Sequence, residues 1–154
     1  MDFEKFIEKY IEKRLLKKQK IDLKAIEKLV LRSMKDLDAA KANLSIDEGV
    51  AYTLAYLAML RAGRAYMLLR GFRPADGYQH KTVVEFMGEY LGREFKQIVA
   101  KFDRMRRKRN IFTYEIDVII SKKEADGALD VAASFLKIIK ERLKKEDKQT
   151  KFNF

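Results

Sequence analysis

The chain has 154 residues, the length of one domain, with 34 basic residues against 23 acidic ones and a formal net charge of +11. It has no cysteine and a single histidine, His80, which excludes a disulfide framework, a Cys–His nucleophile pair and a zinc site of His and Cys within one chain. The longest apolar stretch, Val50 to Leu60, is cut by Arg61 before it could span a bilayer, and the start Met1-Asp2-Phe3-Glu4-Lys5 is unlike a signal peptide, so a cytoplasmic protein with no membrane partner is expected.

The apolar residues recur at helical spacing from end to end. Phe3, Phe6, Ile7, Tyr10, Ile11 and Leu15 form a stripe for a first helix. Asp22 is placed to cap a second helix carried by Ile26, Val30, Ser33, Leu37 and Leu44. A third helix is expected from about Asp47 to Arg70, apolar nearly all round in its first half, which makes it the central helix of the core. Its small residues (Ala55, Ala58, Ala62, Gly63, Ala65) permit close packing by its neighbours.

Gly71-Phe72-Arg73-Pro74-Ala75-Asp76-Gly77-Tyr78-Gln79 reads as a loop. A fourth helix follows from near His80, weakened towards its end by Gly88 and Gly92, and a fifth from about Glu94 to Tyr114. Thr113–Ile120 alternates weakly but adjoins two strong helical patterns and reads as a helix end and connection. Ser121 with Glu124 makes a capping box for a last helix through Ala125, Ala128, Leu129, Ala132, Phe135, Leu136, Ile139 and Leu143. The expected fold is all-α: an up-and-down bundle of five to six helices over residues 1–146, with 147–154 as a frayed or disordered tail.

The fifth helix carries an anomaly. Phe95, Ile98, Phe102, Met105, Arg109, Phe112 and Ile116 alternate in threes and fours, so at about 100° per residue they fall in one arc with Arg109 near its middle. A guanidinium on a buried face costs several kcal/mol, on the order set by desolvation, unless it is paired or serves an anion. Glu85, Asp103 and Glu115 are candidate internal partners. Around it, Arg104, Arg106, Arg107, Lys108 and Arg109 concentrate positive charge, whereas between Ile46 and Gly92 acidic and basic residues balance. Asn110 and Tyr114 lie four apart and share a face next to the Arg106 row. Forked arginine donors suit phosphate, and a tyrosine offers a hydroxyl and a stacking ring, a combination that fits an RNA backbone and one base.

No Gly-rich phosphate loop, nucleophile elbow or tight acidic cluster accompanies this segment, so neither a cofactor nor a metal is expected. His80 is a candidate accessory acid–base group if the fold brings it to Arg109, and otherwise a hydrogen-bonding residue at a helix start.

The segment resembles the signature helix of the HEPN superfamily of small helical proteins, whose usual motif is an Arg, commonly followed by a polar residue, with a His four to six positions on. Arg109-Asn110 fits its first part, but Tyr114 stands where the His belongs. A closer likeness is to a bacterial and archaeal branch with an Arg-x-x-Arg-Asn/His-x-x-x-Tyr-Asp/Glu pattern, matched by Arg106, Arg109, Asn110, Tyr114 and Glu115. That branch also tends to show a Gly-Phe/Tyr-Arg-Pro segment and a His opening the next helix, here Gly71-Phe72-Arg73-Pro74 and His80.

The resemblance implies a homodimer with motif helices facing across a groove. It also implies, in active members, metal-independent RNA cleavage, often by a toxin or defence component held by an antitoxin protein. Two readings stay open. In the first, the protein binds and cuts RNA with Arg109, Asn110 and Tyr114 as catalytic residues, Arg104, Arg106, Arg107 and Lys108 as nucleic-acid contacts, and His80 and Glu115 as accessories. In the second, it is a non-catalytic dimeric module holding an acidic partner protein. A neutral imidazole shuttles protons near pH 7, whereas a tyrosine with an ordinary pKa of about 10 mostly donates there, so the exchange at Tyr114 separates binding from cleavage.

Overall fold

The structure, a computed structural model, describes residues 2–75 and 79–154; the Asp76, Gly77 and Tyr78 part of the expected loop lies outside the described residues. The described chain is built from six α-helices and one short antiparallel ribbon. In order these are α1 (Phe3–Glu12), β1 (Leu16–Lys18), α2 (Leu23–Asn43), α3 (Glu48–Leu69), β2 (Phe72–Pro74), α4 (Gln79–Leu91), a 3-10 turn (Arg93–Phe95), α5 (Lys96–Tyr114) and α6 (Lys122–Glu146). No helix among the described residues is long and apolar enough to cross a membrane.

Caps set most of the helix starts. The carboxylates of Asp2, Asp22 and Asp47 accept from the backbone N–H three residues on, at 2.8, 3.1 and 3.0 Å. The capping box is complete, with Glu124 N–H donating to Ser121 Oγ at 3.1 Å and Ser121 N–H to Glu124 Oε1 at 3.3 Å.

Helix α3 forms the axis. Its most extensive packing is against α2 and α6, and α4 and α5 also lie on it. Ala51, Ala55, Ala58, Ala62 and Ala65 are all buried, which lets the neighbouring helices approach closely. The buried Ser33 hydroxyl of α2 donates to the Ala58 carbonyl of α3 at 2.6 Å, satisfying the one polar group in its apolar stripe.

The ribbon departs from the expected loop. Leu16, Lys17 and Lys18 pair with Pro74, Arg73 and Phe72, flanked by Gln19 N–H donating to the Gly71 carbonyl at 2.8 Å and Ala75 N–H to the Leu15 carbonyl at 2.9 Å. Gly71, at φ +85°, ends α3 in the left-handed region and turns the chain onto this ribbon. The paired run is three residues long on each side, too short for the two-residue alternation that marks a strand in sequence.

Past Glu146 the chain is neither helix nor strand, and it lies back along the bundle. Asn153 N–H donates to the Glu27 carboxylate of α2 at 2.7 Å, and the rings of Phe152 and Phe154 stack at 5.0 Å and pack against the core.

A fully buried carboxylate, Asp36 on α2, has no counterpart in the sequence reading. It is bracketed by Arg61 of α3 and by Arg32 one turn earlier, whose Nη2 lies 3.0 Å from Oδ1. Both arginines keep part of their side chains in water. Asp36→Ala should therefore cost about 1–3 kcal/mol, less than the ~3–5 kcal/mol of a fully enclosed pair, because the stranded guanidinium groups can rehydrate. Urea unfolding checks this, and an unchanged midpoint would show the pair to be neutral.

Candidate nucleic-acid interface

Helix α5 is anchored by Phe102 and Met105, both buried, and further along by Phe112. The Phe112 ring rests against Gly49 of α3, where a Cβ would collide with it, so glycine is what lets the far end of α5 close on α3. Arg109 lies on this same face between Met105 and Phe112, as the spacing predicts. Ile116 does not belong to the stripe. It falls beyond the helix end at Tyr114 and is 98% exposed.

The Arg109 side chain is half-buried, and its Nε is fully enclosed without a hydrogen-bond partner. The guanidinium carbon stands 6.0 Å from the centre of the Tyr56 ring of α3. Tyr56 is itself buried and brings its hydroxyl within 2.8 Å of Nδ1 of His80, in the first turn of α4. Three helices thus bring a guanidinium, a phenol and the single imidazole of the chain to one seam.

The seam is predominantly positive, with the Asp103 carboxylate as a minor opposing charge at Tyr56. Burial, then the positive charges of Arg109, Arg106 and Arg64, hold the His80 imidazole below its ordinary value of 6.5. Burial pushes the Tyr56 phenol far above its ordinary range, with Arg109 and Arg106 only partly offsetting it. At neutral pH both partners of the 2.8 Å hydrogen bond are therefore uncharged.

None of the three acidic residues considered as internal partners pairs with Arg109. Asp103 is taken by Arg106, at 2.9 Å, and by Arg107, at 3.3 Å. Glu85 faces Lys81 at 3.8 Å, and Glu115 is exposed just past the helix end. Among the described residues no carboxylate reaches ion-pair distance of the Arg109 guanidinium.

The remaining basic residues spread around α5 instead of forming one patch. Arg104 lines a groove towards α6 with Tyr52 and Lys101, while Arg106 lines another towards α1 and α4 with Asp103 and Lys9. Lys108 pairs with Glu124 of α6 at 3.4 Å. Asn110 is exposed and Tyr114, the last residue of α5, is 78% exposed. Within one chain the structure therefore brings Arg109, Arg106 and His80 together but leaves Asn110, Tyr114 and Glu115 on the outer end of the helix.

Tyr56 was missed in the sequence, where it reads as one more core residue of α3. A buried tyrosine must find a partner for its hydroxyl, which was the available signal.

The model of the HEPN domain matches residues 26–143, from α2 into α6. The chain belongs to the HEPN family. No curated protein and no solved structure matches it. HEPN domains are often nucleotide-binding or ribonuclease-like and often form dimers. The matched span of this HEPN protein includes Tyr56, His80 and Arg109, so the seam lies within the family domain.

The imidazole offers a direct check, since its ring proton signals are unique in the chain. An NMR titration should place the His80 midpoint below 6.5, and Arg109→Ala should raise it. The sign for stability follows: with the folded value depressed, the unfolded chain binds more protons as pH falls below 6.5, so the His80 contribution is lost on acidification through the folded value.

Proposed function

We propose that this HEPN protein binds RNA as a homodimer, as a toxin or defence component, with Arg109 as the central phosphate contact. The observation that carries the reading is the half-buried Arg109 guanidinium, which no carboxylate among the described residues pairs with. A phosphate at the surface of the seam would accept from the guanidinium N–H groups that are not enclosed, and a forked guanidinium matches it geometrically. Arg106 and Arg104 extend the positive surface along the two flanking grooves, with Arg107 and Lys108 adding charge at the rim.

The dimer accounts for the outer residues. Asn110 and Tyr114 do not reach their own Arg109, whereas a second α5 laid across the first would bring them to a shared groove. There Asn110 would orient a phosphate oxygen and Tyr114 would position a ribose 2′-hydroxyl. Ile111, Ile116 and Ile119 flank Tyr114 in the sequence and are all exposed, apolar surface suited to a protein contact. The same isoleucines beside a basic helix also suit an acidic antitoxin partner, the alternative occupant.

Labelled RNA titrated in EDTA at two salt concentrations tests the reading. Affinity should fall steeply with salt, and Arg109→Ala should weaken binding by about 10–100-fold, the equivalent of ~1.5–3 kcal/mol for a charge-assisted hydrogen bond. Light scattering should report a dimer. RNA that binds neither form would leave only the partner-protein reading.

A further inference from the structure

The family motif places its histidine on the same helix as its arginine, and here that position is a tyrosine, yet the chain does carry one imidazole, held next to Arg109 by a different helix. Nδ1 of His80 is tied to Tyr56, while Nε2 makes no hydrogen bond among the described residues. The ring is half-buried and so reaches the surface of the seam. The charges of Arg109 and Arg106 of α5 and Arg64 of α3 act on it, while the Asp103 carboxylate, itself paired with Arg106 and Arg107, acts on Tyr56.

The buried Tyr56 hydroxyl takes Nδ1 of His80 as its partner, which fixes the imidazole ring at the seam. A phenol against one ring nitrogen orients the other, which is the arrangement a proton-transferring imidazole requires. The adjacent guanidinium stands where negative charge on a phosphate would build.

We propose that His80 is the catalytic acid–base residue of metal-independent RNA cleavage in this protein, with Tyr56 as its positioning residue and Arg109 stabilising the charge on phosphorus. The inference rests on the RNA-binding reading above. With Nδ1–H donating to the Tyr56 oxygen, the Nε2 lone pair takes the proton of a ribose 2′-hydroxyl. The 2′-oxygen attacks the neighbouring phosphorus, a 2′-O–P bond forms and the P–O5′ bond breaks. The imidazolium returns its proton to the departing 5′-oxygen, so the products are a 2′,3′-cyclic phosphate and a 5′-hydroxyl, and no other reactant is consumed. Neutral imidazole is the form the base step needs, and burial first, then the cationic surroundings, favour it.

The test uses the full chain in EDTA with a labelled mixed-sequence single-stranded RNA, total transfer RNA, and the single strand remade with 2′-deoxy sugars. Wild type should cleave both RNAs to cyclic-phosphate ends and leave the deoxy strand intact. His80→Asn keeps an amide N–H that can donate to the Tyr56 oxygen but cannot shuttle a proton. It should lose cleavage by at least about 100-fold, the usual worth of general acid–base catalysis, with RNA affinity within about twofold. Tyr56→Phe should lower kcat about tenfold with KM unchanged, a split that loss of folding would not produce.

His80→Gln serves as a second variant should His80→Asn unfold, judged by thermal unfolding. RNA bound but not cut by wild type, or cut as fast by folded His80 variants, overturns the assignment while leaving RNA binding in place. RNA not bound at all overturns both.

Discussion

A half-buried cation with no internal anion among the described residues sets the character of the seam between α3, α4 and α5. Arg109 takes a core position on α5, between Met105 and Phe112, and its Nε is shut away from water with nothing to donate to. The Tyr56 ring 6.0 Å away offers a cation–π contact, worth on the order of 0.5–2 kcal/mol, which only partly offsets the enclosure of an unpartnered N–H. The balance is made up by the rest of the fold. Phe102 and Met105 on one side and Phe112 against Gly49 on the other hold α5 in place whether or not the guanidinium is satisfied. A site kept in a costly state by packing around it is preorganised for the group that relieves it.

The distribution of carboxylates fits the same logic. Asp36 is bracketed by Arg32 and Arg61 away from α5, and Glu146 accepts from Tyr66 at 2.5 Å and Tyr90 at 2.8 Å while facing Arg70 at 3.9 Å. Those anions tie α2 to α3, and α6 to α3 and α4. Near the seam, Asp103 is shared by Arg106 and Arg107 on its own helix. Those charges are matched within the fold, whereas no carboxylate among the described residues pairs with Arg109.

Much of this was readable without coordinates. Helical spacing placed all six helices, and Asp22, Asp47 and the Ser121–Glu124 pair marked three starts, because caps are local chemistry that tertiary context seldom overrides. Arg109 stood out since periodicity alone assigns it an apolar face. What stayed hidden depends on contacts between distant segments. The ribbon pairs residues more than fifty positions apart over three residues, with Lys17 and Lys18 reading as surface. Asp36 looks like any solvated carboxylate until Arg61 arrives from α3. Ile116 satisfies the spacing of the stripe but lies past Tyr114, and periodicity carries no information on where a helix stops.

The exchange at the motif histidine then takes on a physical meaning. At the outer end of α5, Tyr114 stands largely in water with exposed Asn110 and Glu115. His80 on α4 is half-buried, oriented through Nδ1 and surrounded by three arginines. A proton-transfer group gains from enclosure because its pKa is then set by fixed neighbours, whereas a group that recognises a partner gains from exposure. Separated in this way, the two demands no longer compete for one position: the imidazole sits where the field is controlled, and the tyrosine where a second molecule can reach it.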